Sequence, residues 1–164
     1  METNTPKSIA VKNLLQLAEN SCGSNLFKNF FVNEKDILAN GDLSCAWFVS
    51  TVLVMIRLLD GVSFTVNGLI ARLKGSQDWV EEKFQNEIQI EDLQPGDIIL
   101  WNPIPFKKGS HYHVGIYLGD EVAVSNRSLS GQPGKHGVKY TGLSDTHQLN
   151  EVSLFTVFRL REDL

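Results

Sequence analysis

The chain has 164 residues, 42% hydrophobic and 21% charged, which suits one domain with a sizeable core and gives no compositional reason to expect disorder. A formal net charge of -4 without any long Lys/Arg run argues against a nucleic-acid surface, because phosphate binding needs a concentrated basic footprint. Cys22 and Cys45 are too few for a disulfide framework and lack C-x-x-C spacing, so each is judged alone.

From Ser8 to about Asn20 the apolar positions Ile9, Val11, Leu14, Leu15, Leu17 and Ala18 recur at helical spacing, which predicts an amphipathic first helix ending in the turn residues of NSCGSN. The next stretch, LFKNFFVNEKDIL, fits either a short helix or an irregular connection carrying Phe27, Phe30 and Phe31 into the core. GDLSCAWFVSTVLVMIRLL follows at 41–59. Its least charged part, 43–56, is shorter than the roughly 18 residues of a membrane span, and reads as a core helix of roughly 16 residues. Asp42 or Ser44 is expected to accept hydrogen bonds from the free amides of its first turn. A third helix is expected from Thr65 to about Lys74, with GSQDWVEE as a turn or short helical piece.

Then the period changes. DLQPGDIILWN has a Pro-Gly turn feeding an apolar run, YHVGIYLG is strand-like and ends at a glycine, and DEVAVSN starts another strand after a tight connection. SLSGQPGKHGVKYTGLSDTHQLNE is rich in turn formers and reads as a long loop with a short strand around GVKY. SLFTVFRL closes the domain as a final strand. Helices before strands give an α+β layout, with N-terminal helices packed on one side of an antiparallel sheet. The phosphate-cradling glycine loops and the HExxH zinc pattern are absent, so neither a nucleotide nor a metal is expected as cofactor.

Cys45 stands at the start of the central helix, where unpaired amides and the positive end of the peptide dipoles favour a thiolate. An inert buried thiol is the competing reading, and it is the preferred one for Cys22. In GSHYHVGIYLG, His113 enters a strand from its polar edge with Gly115 on the same face, leaving room for a ligand or a second catalytic group. His111 is the weaker choice of base. A working cysteine needs a base within reach and usually a third group to hold the tautomer of that base. Ser125 and Asn126 in the next strand are the polar residues available, and alternation allows only one of them to sit beside His113 unless a bulge intervenes. Asn126 is preferred, since its amide oxygen accepts from a ring N–H while staying well oriented. Glu121 is a weaker substitute, read with Asp120 as a solvated turn residue.

DLSCAWFVS, LQPGDIILW at 93–101, HVGIYLG at 113–119 and the polar SN one strand later resemble, in wording and order, the NlpC-type cell-wall peptidases and, in the same papain-like superfamily, the CHAP amidases. The likeness spans roughly residues 8–160 of a single domain covering 1–164. It implies a papain-like fold and an enzyme that cuts peptide or amide bonds of bacterial peptidoglycan stem peptides without a metal. Cys45 is then the nucleophile, His113 the base, Asn126 or Ser125 the orienting residue, and the Cys45 amide part of the oxyanion site. Tyr112 and Trp47 are candidates to line the cleft. Ser44 stands where the NlpC-type motif has Asp, Ala46-Trp47 where Ser-Gly is common, and the third position lacks the frequent histidine, which points to a CHAP-like or divergent branch. An acyltransferase and a non-catalytic binding module on the same scaffold are the alternatives.

The N-terminal METNTPKSIAV lacks a basic region followed by an apolar core and cleavage site. The expectation is a chain cytoplasmic before any non-classical export or delivery to a cell wall, serving its own wall, a phage or a competitor-directed toxin. The expected partner is the peptidoglycan peptide or another amide substrate, with no nucleic acid and no membrane span; whether an immunity protein pairs with it is not legible in the sequence.

Overall fold

In the computed structural model, which describes residues 5–84, 87–106, 109–127, 130–138 and 154–164, Thr5 stands extended ahead of Pro6 and its hydroxyl accepts from the Ser8 amide at 3.2 Å. This cap, with proline in the first turn, starts helix α1 (Pro6–Asn20), which buries Leu14 and Ala18. The ambiguous stretch after it is an irregular connection: a 3-10 turn, Asn25–Phe27, then a two-residue hairpin, β1 (Phe31–Val32) with β2 (Lys35–Asp36). Phe27 reaches the core as expected, but Phe30 and Phe31 stay at 37% and 64% exposure. The Asp36 carboxylate gathers this connection. It accepts from the Asn29 side chain and from the amides of Phe30, Leu38 and Asn40 at 2.7–3.1 Å. Desolvation pushes its pKa up, and those hydrogen bonds outweigh it and hold the carboxyl at about 2.

Helix α2 (Cys45–Met55) is shorter than the sequence suggests, and its C-terminus gives the reason. Arg57 turns to φ 62°, its amide bonds Val54 O, and the Leu58 amide reaches back to Leu53 O, the paired bonds that close a helix around a left-handed residue. Neither Asp42 nor Ser44 caps the other end: Ser44 is the N-cap in helical rather than extended conformation, and its buried Oγ finds no hydrogen-bond partner. Ser50 Oγ donates to Ala46 O and accepts from the Ser63 amide at 2.8 Å, fixing the path into helix α3 (Val66–Gly75). Thr65 caps α3 through the Gly68 amide.

WVE, expected in a turn or helical piece, is instead strand β3 (Trp79–Glu81), paired antiparallel with the last strand. Trp79 is buried there and its indole N–H donates to Leu58 O at 2.7 Å, a tertiary contact that local propensity does not report. Strands β4 (Ile98–Phe106), β5 (Gly109–Gly119), β6 (Val122–Arg127), β7 (Gln132–Gly137) and β8 (Leu154–Leu160) complete a six-stranded sheet of order β3-β8-β4-β5-β6-β7, antiparallel at every described pairing. Strand β7 occupies QPGKHG, inside the expected loop; the end of the expected GVKY strand, 139–140, lies outside the described residues. As an edge strand β7 tolerates Pro133, whose carbonyl instead accepts from the Gly23 amide at 2.9 Å.

The fold is α+β, as the order of patterns predicts. Ile98, Leu100, Val114, Ile116, Val124 and Phe158 form one core with the helices, while Ile99, Trp101, Tyr117, Ala123 and Val157 form a second beneath the opposite face, joined by Phe84, Ile88 and Ile90. The Pro-Gly turn before β4 is held by Asp97, buried to 1% exposure, which takes a bidentate pair from Arg159 Nε and Nη2 at 2.8 and 2.7 Å and accepts from the Gln94 amide. Asp97→Ala leaves the Arg159 guanidinium with only Glu82 and the Asp92 carbonyl, and is expected to lower unfolding free energy by about 2–3 kcal/mol in urea titration, with a smaller loss for Asp97→Asn.

Candidate active site

Asp120 and Glu121 turn the chain from β5 into β6, both with positive φ of 49° and 61°, as a two-residue hairpin loop of this kind requires. Gly119 faces Val122, yet Tyr117 faces Ala123: β5 holds one extra residue, and the ladder slips by one position. The regular hairpin would put Asn126 opposite Gly115. The bulge puts Ser125 there instead. Side-chain alternation then decides the site, because His113, Gly115 and Ser125 come to share a face.

On that face the His113 Nε2 lies 2.8 Å from Ser125 Oγ, and Ser125 Oγ lies 2.6 Å from His136 Nε2 on β7. His113, Ser125 and His136 are all buried. Asn126, the preferred orienting residue from sequence, is not at the ring: its amide donates to Gly41 O at 2.7 Å, and its Oδ1 is buried with no hydrogen-bond partner. Ser125, the alternative, holds the place beside His113. Of the weaker choices, Glu121 is an exposed turn residue, and only the backbone of His111 is described, in register with Ile104. Tyr112 is 38% exposed, and Trp47 stacks on Phe64 with centroids 4.8 Å apart.

The space beside Gly115 is filled by Trp101. A Cβ on Gly115 would lie 2.9 Å from the indole and 2.8 Å from Val124 O. The indole lies against both imidazoles, with centroids 5.3 Å from His113 and 5.6 Å from His136, and is held by its N–H to Val138 O at 2.8 Å. Glycine here makes room for the tryptophan that walls the site, rather than for a ligand.

Cys45 is buried at the first turn of α2, and the backbone amides of Ala46 and Val114 bear on its thiol and favour the ionised form. Val114 follows His113 directly on β5, so the Cys45 thiol feels the backbone next to His113. Trp101 opposite His113 is the last regular pair before β4 and β5 slip between Trp101 and Ile104, which puts His113 beside the irregularity in the ladder. Desolvation dominates the thiol and pushes its pKa from an ordinary 9.0 to about 11; the nearby backbone amides work against that. Cys22 sits at the exit of α1, half-buried, its sulfur 3.7 Å from Ala18 O, with a pKa also raised by burial. Among the described residues no group of three or more His, Cys, Asp or Glu side chains is arranged to hold a metal ion.

The NlpC/P60 family model matches residues 62–149, more than half of the 164-residue chain. The chain belongs to the NlpC/P60 family. Membership implies a hydrolase of the cell-wall peptidase type, the family being generally one of cysteine peptidases and amidases. In this NlpC/P60 chain the matched span contains His113, Ser125 and His136, and begins after Cys45. No curated protein matches the chain. No helix among the described residues is long and apolar enough to cross a membrane.

His136 is the residue that reading the sequence missed. GKH at 134–136 mirrors HVG at 113–115, an imidazole two places from a glycine on one strand face, with Gly115 and Gly134 both opposite Ser125. That mirror was the available signal, hidden by the turn-forming residues around it.

Gly115→Ala is expected to displace Trp101 and lower stability by about 1–3 kcal/mol in urea unfolding. Because the folded thiol of Cys45 holds its proton more tightly than the unfolded one, its contribution is fully present below pH 9.0 and is lost as pH rises through about 11. The stability of wild type relative to Cys45→Ala is therefore expected to fall by about 2–3 kcal/mol between those limits, measured by paired urea titrations.

Proposed function

We propose that the protein is a cysteine hydrolase cleaving peptide or amide bonds in bacterial peptidoglycan stem peptides, with Cys45 as nucleophile, His113 as base and Ser125 as the residue that orients the base. The observation that carries this reading is the placement of the Cys45 thiol at a helix N-terminus, with the backbone next to His113 bearing on it, while His113 is held from behind by Ser125. The buried thiol is protonated at neutral pH, so ionisation has to accompany its proton's transfer to His113 as substrate docks. The thiolate attacks the amide carbonyl, and amides of the first turn of α2 that face the sulfur stabilise the charge as it passes to the carbonyl oxygen. Protonated His113 then gives its proton to the leaving amine. A water deprotonated by His113 attacks the thioester and releases the carboxylate, returning the proton to Cys45.

Asn126 has another part in this reading: through Gly41 it holds the segment that leads into Cys45. A non-catalytic binding module on the same scaffold is the second reading, favoured by the burial of Cys45 and its raised pKa.

Digestion of purified peptidoglycan followed by mass analysis separates the two. New peptide termini are expected with wild type and not with Cys45→Ala, and His113→Ala is expected to slow their appearance by roughly 10²–10⁴-fold. Identical products from wild type and Cys45→Ala would remove the cell-wall substrate. Alkylation gives an independent check: the rate at Cys45 should drop in His113→Ala while that at Cys22 stays unchanged.

A further inference from the structure

The proton positions along His113, Ser125 and His136 follow from one carbonyl. His136 Nδ1 lies 2.9 Å from Gly137 O, and a carbonyl oxygen only accepts, so Nδ1 carries a proton. In a neutral imidazole the other nitrogen is then bare, and His136 Nε2, 2.6 Å from Ser125 Oγ, accepts the serine hydroxyl. With its proton committed to His136, Ser125 meets His113 as an acceptor. The 2.8 Å contact therefore requires the proton on His113 Nε2, which leaves His113 Nδ1 as the basic nitrogen.

We infer that His136 is a positioning residue: acting through Ser125, it fixes His113 as the Nε2–H tautomer, with Nδ1 as the atom that takes the Cys45 proton. The inference rests on the reading of His113 as the base. Serine alone does not perform this role, because a hydroxyl donates as readily as it accepts and would hold either tautomer. A partner behind it that can only accept gives the hydroxyl one direction. His136 is itself oriented, by Gly137 O on one edge and by the Trp101 indole, 5.6 Å away, against its ring. Burial of all three groups keeps water from offering competing hydrogen bonds.

Long-range proton–nitrogen correlation spectra of ¹⁵N-labelled wild type, taken above the pH at which the imidazoles titrate, test the assignment without substrate. The expected result is His113 as Nε2–H and His136 as Nδ1–H, with His113 becoming a mixture in Ser125→Ala. Either imidazole in the opposite tautomer overturns the inference. A second arm follows alkylation of Cys45. His136→Gln offers an acceptor oxygen near the position of Nε2 and should keep the rate within about threefold, whereas His136→Ala should lose roughly tenfold or more, as expected when a base has the wrong tautomer. Equal rates in the two variants would overturn it. Failure of peptidoglycan digestion with the expected tautomers present would sink the substrate instead, leaving the relay intact.

Discussion

One extra residue in β5 decides which side chains of β6 face which half of the site. With the ladder slipped between Tyr117 and Gly119, Ser125 falls beside His113 and Asn126 falls on the opposite face. Both placements matter. Ser125 links the imidazoles of β5 and β7, and Asn126 donates to Gly41 O in the segment that leads into α2. A regular hairpin would reverse the two residues, leaving His113 with an amide and the approach to Cys45 without its tie. The same slip thus fixes His113 and the approach to Cys45 relative to one sheet.

The tie at Gly41 is tightened by backbone packed on backbone. A Cβ on Gly41 would lie 2.2 Å from Gly131 Cα, and one on Gly131 would lie 2.3 Å from Asn40 O, with φ positive at both glycines. Two chain segments distant in sequence approach so closely only because neither carries a side chain at the contact. The Asp36 carboxylate organises the near side of this junction through four hydrogen bonds, the last of them from the Asn40 amide next to Gly41. The start of α2 is therefore set by the loop before it rather than by a capping side chain, which accounts for Ser44 and Asp42 not serving as caps.

Elements whose residues reveal a period were legible in the sequence: α1, α3, β5, β6, β8 and the helical nature of α2 all follow from spacing and turn residues. Those that depend on partners far along the chain were not. β3 exists because Trp79 meets Leu58 and β8, and β7 exists because β6 offers an edge to a segment otherwise full of glycine and proline. For the candidate site, the place of Cys45 at the start of α2, that of His113 on β5 and the order of the motifs were legible. The choice between Ser125 and Asn126 was not, since hydrogen-bonding chemistry favours Asn126 and only the register, unreadable from a sequence without the bulge, favours Ser125. His136 was lost with its strand.

Burial and polarity oppose each other at Cys45, and under the proposed mechanism their balance is why His113 has to be set so firmly as base. Backbone amides near the sulfur favour the thiolate, yet desolvation wins and pushes the thiol pKa up to about 11. A nucleophile already ionised at rest tolerates a base in either tautomer, because no proton has to be taken from it. A buried thiol does not. In the proposed mechanism its proton has to move to His113 Nδ1, so a histidine free to place its proton on either nitrogen would present the wrong edge for part of the time. On that reading, burial of the cysteine and the acceptor behind Ser125 are two halves of one arrangement: the first keeps the thiol protonated at rest, and the second keeps open the nitrogen that takes its proton.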